Sequence, residues 1–195
     1  MKSLPIYAIA LFVFISTVTF AQESYQLAAS KLSVAGTSTL HDWESEVTEV
    51  NVQASLDMVD GQLQAIPGFM VKIPAKSIKS TKGRIMDNKT YGALKADDHP
   101  TITYKLTSTK IQDDSKLTAS GKLTIAGQTK TVSFPVKMKK GSDGAITFSG
   151  SYSLLMSDYG MDAPTALMGS IKTGDEVTIH FSCTLEPGKA TANSK

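Results

Sequence analysis

Apolar and polar side chains alternate along most of the chain after Gln22, the pattern of β-strands that bury one face. Ile102, Tyr104 and Leu106 alternate with threonine and lysine, and Leu117, Ala119, Gly121, Leu123 and Ile125 with lysine, serine and threonine. Val132, Phe134, Val136 and Met138 form a third run, Ile146, Phe148, Gly150, Tyr152 and Leu154 a fourth, and Val177, Ile179, Phe181, Cys183 and Leu185 a fifth. Upstream, the stretch from Trp43 to Leu56 reads as one long strand whose register shifts near Val47-Thr48, as a bulge would cause, and Met70-Val71-Lys72-Ile73 reads as another strand. Ala126-Gly127-Gln128 separates two runs at hairpin distance, and Lys140-Gly141-Ser142-Asp143-Gly144 supplies residues that tolerate positive φ.

One segment breaks this rhythm. Between Ser80 and Ala96, the residues Ile85, Met86, Lys89, Thr90, Ala93 and Leu94 recur at three-to-four spacing, which predicts one amphipathic helix. Asp97-Asp98-His99-Pro100 closes it, because the residue before proline is pushed out of the helical region. Seven or eight antiparallel strands and one helix leave two architectures, a sandwich and a closed barrel. Periodicity does not choose between them, although only closure removes the sheet edges.

The ends of the chain differ from its middle. Lys2, the apolar run Ile6 to Phe14 and the small residues before Phe20-Ala21 have the n-region, h-region and cleavage-site order of a signal peptide over residues 1–21. A membrane anchor is the alternative, but spanning takes about 20 apolar residues, and Pro5, Ser16, Thr17 and Thr19 interrupt this stretch. No later run is long enough for a second span. The expected organisation is a leader at 1–21, one domain at 22–186 and a small, polar, disordered tail at 187–195. The address is the periplasm, with secretion as the alternative.

Charge and cysteine content narrow the function. The 20 Lys and Arg residues are interspersed with 18 Asp and Glu, so there is no basic footprint for nucleic acid. Cys183 is the only cysteine, which rules out an intramolecular disulfide; its inward parity makes it a small buried hydrophobe rather than a reactive thiol. His41, His99 and His180 are too scattered to supply the three or four convergent ligands of a zinc site, and no metal or cofactor is expected. There is neither a Gly-x-Ser-x-Gly elbow nor a Gly-rich phosphate loop.

The apolar set carries more information. Tyr104, Leu106, Leu123, Ile125, Phe134, Val136, Phe148, Tyr152, Leu154, Ile179 and Phe181 share one side of their strands, with no acid, base or strong nucleophile among them. Such a face is either ordinary core or the wall of an apolar cavity, and physics alone favours core. At the ends of these strands, Arg84 and Asp87 flank the helix start, where a cap or ion pair is the plain reading and head-group recognition the functional one. Asp158 and Met161 belong to a turn after a strand, or to a loop at a cavity mouth.

Several motifs in fixed order support the second alternative. They are Gly36-Thr37-Ser38-Thr39-Leu40-His41-Asp42-Trp43, then Ile73-Pro74-Ala75-Lys76-Ser77-Ile78-Lys79-Ser80 leading to Arg84 and Asp87, then His99-Pro100-Thr101-Ile102-Thr103-Tyr104. Gly121-Lys122-Leu123-Thr124-Ile125-Ala126-Gly127-Gln128-Thr129 follows, and Ser157-Asp158-Tyr159-Gly160-Met161 with Gly174-Asp175-Glu176-Val177 ends the series. Over residues 25–186 this order resembles the YceI-like family. The resemblance implies an all-β, antiparallel, eight-stranded lipocalin-like barrel with one short helix between strands. It also implies an elongated apolar cavity that holds a polyisoprenoid chain, such as a quinone tail.

On that reading the eleven apolar residues line the cavity, and Arg84, Asp87, Asp158 and Met161 stand at its mouth. The partner is a small apolar ligand, no catalysis is expected, and a homodimer is the oligomer that some family members form. The chain departs from the family in having Thr-Leu-His-Asp-Trp where many members carry His-Ser on the first strand, and Met156 where many carry arginine. Two other functions are open to the sequence: an envelope protein with a fully packed barrel, and an enzyme acting on a lipid through His41, Asp42 or Asp158.

Overall fold

The computed structural model describes residues 22–188. The leader read at 1–21 and most of the polar tail lie outside them. Eleven strands and one α-helix are described: β1 Gln22–Ser38, β2 Trp43–Val47, β3 Asn51–Val59, β4 Gln62–Pro74, β5 Ile78–Ser80, α1 Arg84–Ala93, β6 Thr101–Asp113, β7 Lys116–Ile125, β8 Gln128–Lys140, β9 Ile146–Leu155, β10 Thr165–Ala166 and β11 Ile171–Pro187. Short 3-10 turns lie at Ala75–Ser77, Ser157–Tyr159 and Leu167–Gly169.

Antiparallel neighbours run β1-β3-β4-β6-β7-β8-β9-β11, and β11 pairs back onto β1 from Tyr25↔Pro187 to Ser38↔Thr173. That last pairing closes an eight-stranded barrel, the lipocalin-like alternative of the two architectures. β2, β5 and β10 extend one end of it.

The single strand expected from Trp43 to Leu56 is two strands. β2 pairs with the late part of β1 (Ser33↔Glu46 to Gly36↔Trp43), and β3 with its start (Gln22↔Asp57 to Tyr25↔Ala54). Between them Thr48 leaves the ladder, donating from both its amide N (3.0 Å) and its Oγ1 (2.9 Å) to the carbonyl of Ser77. The expected register shift is therefore a full break, stabilised by a bond between segments far apart in sequence.

β1 itself hides its face from a periodicity reading. Leu27 pairs with Leu185 but Ala29 with Thr184, so Ala28 is an extra residue. A bulge of this kind flips side-chain parity: Tyr25 is buried in the core before it, and Leu32 and Val34 point inward after it.

The helix is shorter than the periodicity, Arg84–Ala93 rather than Ser80–Ala96. Gly83 at φ 85° sets its start. It ends because Lys95 adopts φ 50°, with Ala96 N bonded to Tyr91 O at 2.9 Å and Lys95 N to Gly92 O at 3.0 Å, a Schellman closure several residues before Pro100. Asp87 fixes the helix to β5, its carboxylate accepting from Ser80 N at 2.7 Å with Lys79 Nζ at 3.7 Å. Tyr91 adds a second tie, donating its hydroxyl to Lys76 O at 2.9 Å.

Hairpin chemistry follows the sequence closely. Ala126 (φ 47°) and Gly127 (φ 79°) are both left-handed, as a two-residue primed turn between β7 and β8 demands. On the far side of β8 the ladder to β9 is short, running only from Lys137↔Ser149 to Lys140↔Ile146. Pro135, which has no N–H to donate, lies just past its end.

Candidate functional site

The barrel interior holds two chambers. The outer one, about 430 Å³, lies under α1, β2 and β10; the inner one, about 160 Å³, lies deeper between the walls. Leu32, Ile73, Ile102 and Ile179 line both, so the chambers meet along these four side chains. Each strand contributes through its inward parity, and Ile73 and Ile102 are direct cross-strand partners on β4 and β6.

Of the apolar residues named from the sequence, Tyr104, Leu106, Leu123, Phe134, Val136, Phe148, Tyr152 and Phe181 line the inner chamber. Ile125, Leu154 and Met161 line the outer one, and Ile179 both. The centre of the inner chamber is aromatic: Phe134 has ring centroids of Tyr104 at 5.6 Å, Tyr152 at 5.4 Å and Phe181 at 5.6 Å, all tilted or edge-on. Two glycines make room for this cluster. A Cβ on Gly121 would come within 2.6 Å of Tyr104 Cε2, and one on Gly150 within 2.9 Å of Phe181 Cζ.

The remaining polar residues named from the sequence are placed differently. Arg84 is exposed at the first position of α1, Asp87 is buried against β5, and neither lines the chambers. Asp158 is on the outer surface, with Lys130 Nζ at 3.8 Å, a surface pair of small energetic weight. His180 points outward, away from both chambers, on the polar side of β11. His41 and Asp42 border the outer chamber, and the His41 ring nitrogen Nδ1 is 2.8 Å from the Asp42 carbonyl oxygen.

Residues that periodicity did not single out complete the outer chamber. Leu32 and Val34 were hidden by the bulge at Ala28. Trp43 packs over Gly36, where a Cβ would lie 2.5 Å from its Cζ2, and donates Nε1–H to Thr37 O at 3.1 Å. Met156 joins Met86 of the helical pattern and Met161 of the expected mouth as flexible thioether walls. The signal available for Trp43 was the Gly36-to-Trp43 motif, whose small-and-large pair faces across two strands.

Asp175 carries a structural task beside the mouth. It accepts from Ser157 N at 2.8 Å and Ser157 Oγ at 2.5 Å, and these bonds hold its carboxyl below the usual carboxylate range. The clamp fixes the turn that delivers Tyr159 and Met161 to the core, with Gly160 left-handed at φ 63°. Burial pushes the Tyr104 and Tyr159 phenols up to about 12 and the Cys183 thiol up to about 11. All three are therefore neutral at physiological pH.

The whole is a closed, lipocalin-like antiparallel barrel whose interior is an apolar chamber entered from one end. The model of the YceI-like domain matches residues 16–185, and the chain belongs to that family. Comparison with curated proteins finds no match.

Among solved structures, Burkholderia cenocepacia BcnA is similar at a TM-score of 0.68 and 20% identity, covering 82% of this chain and 98% of that one. A polyisoprenoid binding domain from Saccharophagus degradans, implicated in plant cell wall breakdown, superposes at 0.65 with 11% identity, covering 85% and 98%. A Campylobacter jejuni YceI protein does so at 0.59 with 19% identity, covering 94% and 100%. At these identities the likeness is one of fold.

Proposed function

We propose that the protein is an exported, non-catalytic binding protein that holds an apolar lipid of polyisoprenoid type in its barrel. The observation that carries this reading is the pair of joined chambers, about 430 and 160 Å³, walled by alternate residues of eight strands. A volume of that order is within the roughly 300–1,000 Å³ of small-molecule sites. Removing roughly 300 Å² of hydrocarbon from water at about 25 cal/mol/Å² contributes on the order of 7 kcal/mol before ordering costs.

Family membership supports the same reading, as does a similar structure described as polyisoprenoid-binding. Export to the periplasm, or beyond the cell, rests on the leader pattern at residues 1–21 and fits a cargo that cannot cross water unaided. Organic extraction of natively purified protein followed by mass spectrometry is expected to release an isoprenoid lipid. An empty protein whose melting temperature a long-chain polyprenol does not raise would remove the proposal.

One observation favours a second reading, a packed envelope protein with no ligand. The aromatic cluster around Phe134 fills the centre of the barrel. The same extraction separates the two, since a packed barrel yields no lipid.

A further inference from the structure

We propose that the open end of the barrel is a bilayer-docking surface, a rim of apolar side chains that seats on a lipid headgroup layer while cargo passes through the mouth. The proposal rests on the lipid-binding reading for its purpose, but its geometry stands separately. Five large hydrophobic residues are exposed among the described residues: Leu40, Ile85, Leu155, Leu167 and Met168. Leu40 lines the outer chamber, Ile85 and Leu167 each adjoin in sequence a residue that lines it, and Leu155 lies on the outer wall beside Lys130 and Asp158.

Leu40, 66% exposed, itself lines the outer chamber on the β1–β2 connection. Ile85, 76% exposed, lies one helical turn before Lys89 on the same face of α1, and its neighbour Met86 lines the chamber. Leu167, 73% exposed, and the wholly exposed Met168 form the tip between β10 and β11, directly after Ala166 of the lining. Scattered single hydrophobes on a surface need no explanation, but Leu40 in the chamber lining and three more exposed hydrophobes on segments that contribute to that lining do.

The tip is held outward at a cost. Leu167 and Met168 both have left-handed backbone, φ 48° and 55°, a conformation that side-chain-bearing residues avoid unless the surroundings impose it. Here they point into solvent, while Lys89 donates to the Thr165 carbonyl and ties α1 to this hairpin across the opening.

Charge selects a bilayer as the occupant. Lys82 and Arg84 both precede Ile85, and Lys172 follows the tip; none has an acidic partner among the described residues. Apolar side chains interleaved with unpaired cations suit the boundary between acyl chains and phosphates. Asp42 and Glu44 also lie at the opening. Affinity must therefore come first from the apolar rim and be raised, not created, by anionic lipid.

The test is flotation of the mature chain with vesicles of phosphatidylcholine, alone and mixed with phosphatidylglycerol. The wild type is expected to float with both, more with the anionic mixture, and the combined Ile85→Ser, Leu167→Ser and Met168→Ser variant to lose about tenfold or more of that binding at an unchanged melting temperature. Leu155→Ser, the exposed leucine away from the mouth, should behave as wild type. If the triple variant fails to fold, the combined Lys82→Glu and Arg84→Glu variant decides, by losing the preference for anionic vesicles or keeping it.

The proposal is overturned if the wild type stays with neither vesicle, or if the rim variants float as well as it does. It is equally overturned if sedimentation shows that the rim pairs two copies of the chain and vesicles do not compete. A detergent-solubilised long-chain polyprenol, assayed in parallel by melting temperature, keeps the two readings apart. Stabilisation without flotation leaves lipid binding standing and removes docking, and flotation without stabilisation does the reverse.

Discussion

Gly121 on β7 lies beneath the ring of Tyr104 on β6, so close that a Cβ there would be 2.6 Å from Cε2 and 2.7 Å from Cζ. The same absent Cβ would be 2.6 Å from the carbonyl of Lys105. One neighbour is backbone and cannot yield. Tyr104 thus lines the inner chamber with its ring seated over Gly121, its diagonal neighbour on β7, whose direct partner is Leu106.

Gly121→Ala should lower stability by about 1–3 kcal/mol, the usual cost of an added methyl where packing is closed, and should push the Tyr104 ring inward. Thermal unfolding measures the first effect. Loss of uptake of a long-chain polyprenol measures the second, because the displaced ring takes up inner-chamber volume.

Leu32 lines both chambers at the point where they meet. Leu32→Trp should close that passage with the barrel intact, shortening the chain length that the protein accepts. Overpacking there costs about 1–3 kcal/mol. A titration with polyprenols of increasing length is the measurement, and undiminished binding of the longest would contradict the assignment of the two chambers to one path.

Asp175 clamps Ser157, and the two bonds hold the pKa of its carboxyl below the ordinary aspartate range. A carboxyl with a depressed folded pKa contributes stability above its unfolded pKa and loses it as pH falls through the folded one. The wild type should therefore exceed Asp175→Asn in melting temperature at neutral pH, and the two should converge as pH drops below the ordinary aspartate range. A difference that persisted at the acid limit would show that the clamp is not ionic.

Cys183 is buried at the inner chamber and its thiol is pushed up to about 11. The native protein should resist a maleimide or a disulfide reagent at neutral pH and react fully once unfolded. Partial unfolding of β11 would appear as intermediate reactivity well before global loss of structure.

The parts legible in the sequence are those governed by local rules. Alternation along β6 to β9 and β11 gave the inward residues, because a strand's parity is fixed by its pleat. The Ala126-Gly127 turn was legible from its hairpin spacing and the helix from its three-to-four spacing, whereas the helix start at Gly83 was not. What local rules cannot see is a change of parity or partner. The extra residue at Ala28 turns β1 over and so hid Leu32 and Val34, and Thr48 leaves its strand for a carbonyl on Ser77 that is distant in sequence.

Asp87 reads as a mouth residue from its place beside Arg84, but its carboxylate is occupied by Ser80 and Lys79 on β5. Asp158 likewise turns outward to Lys130. By itself the sequence determined which face of each strand is apolar, where the chain turns and that one helix interrupts the strands. Only the tertiary structure decided that the sheet closes on itself through β1 and β11, that two chambers remain inside it, and that the β1–β2 connection, α1 and β10 come together at the outer one. The reason is physical: pleat and turn angles are properties of neighbouring residues, whereas closure, cavity volume and a shared rim depend on pairing between residues more than a hundred positions apart.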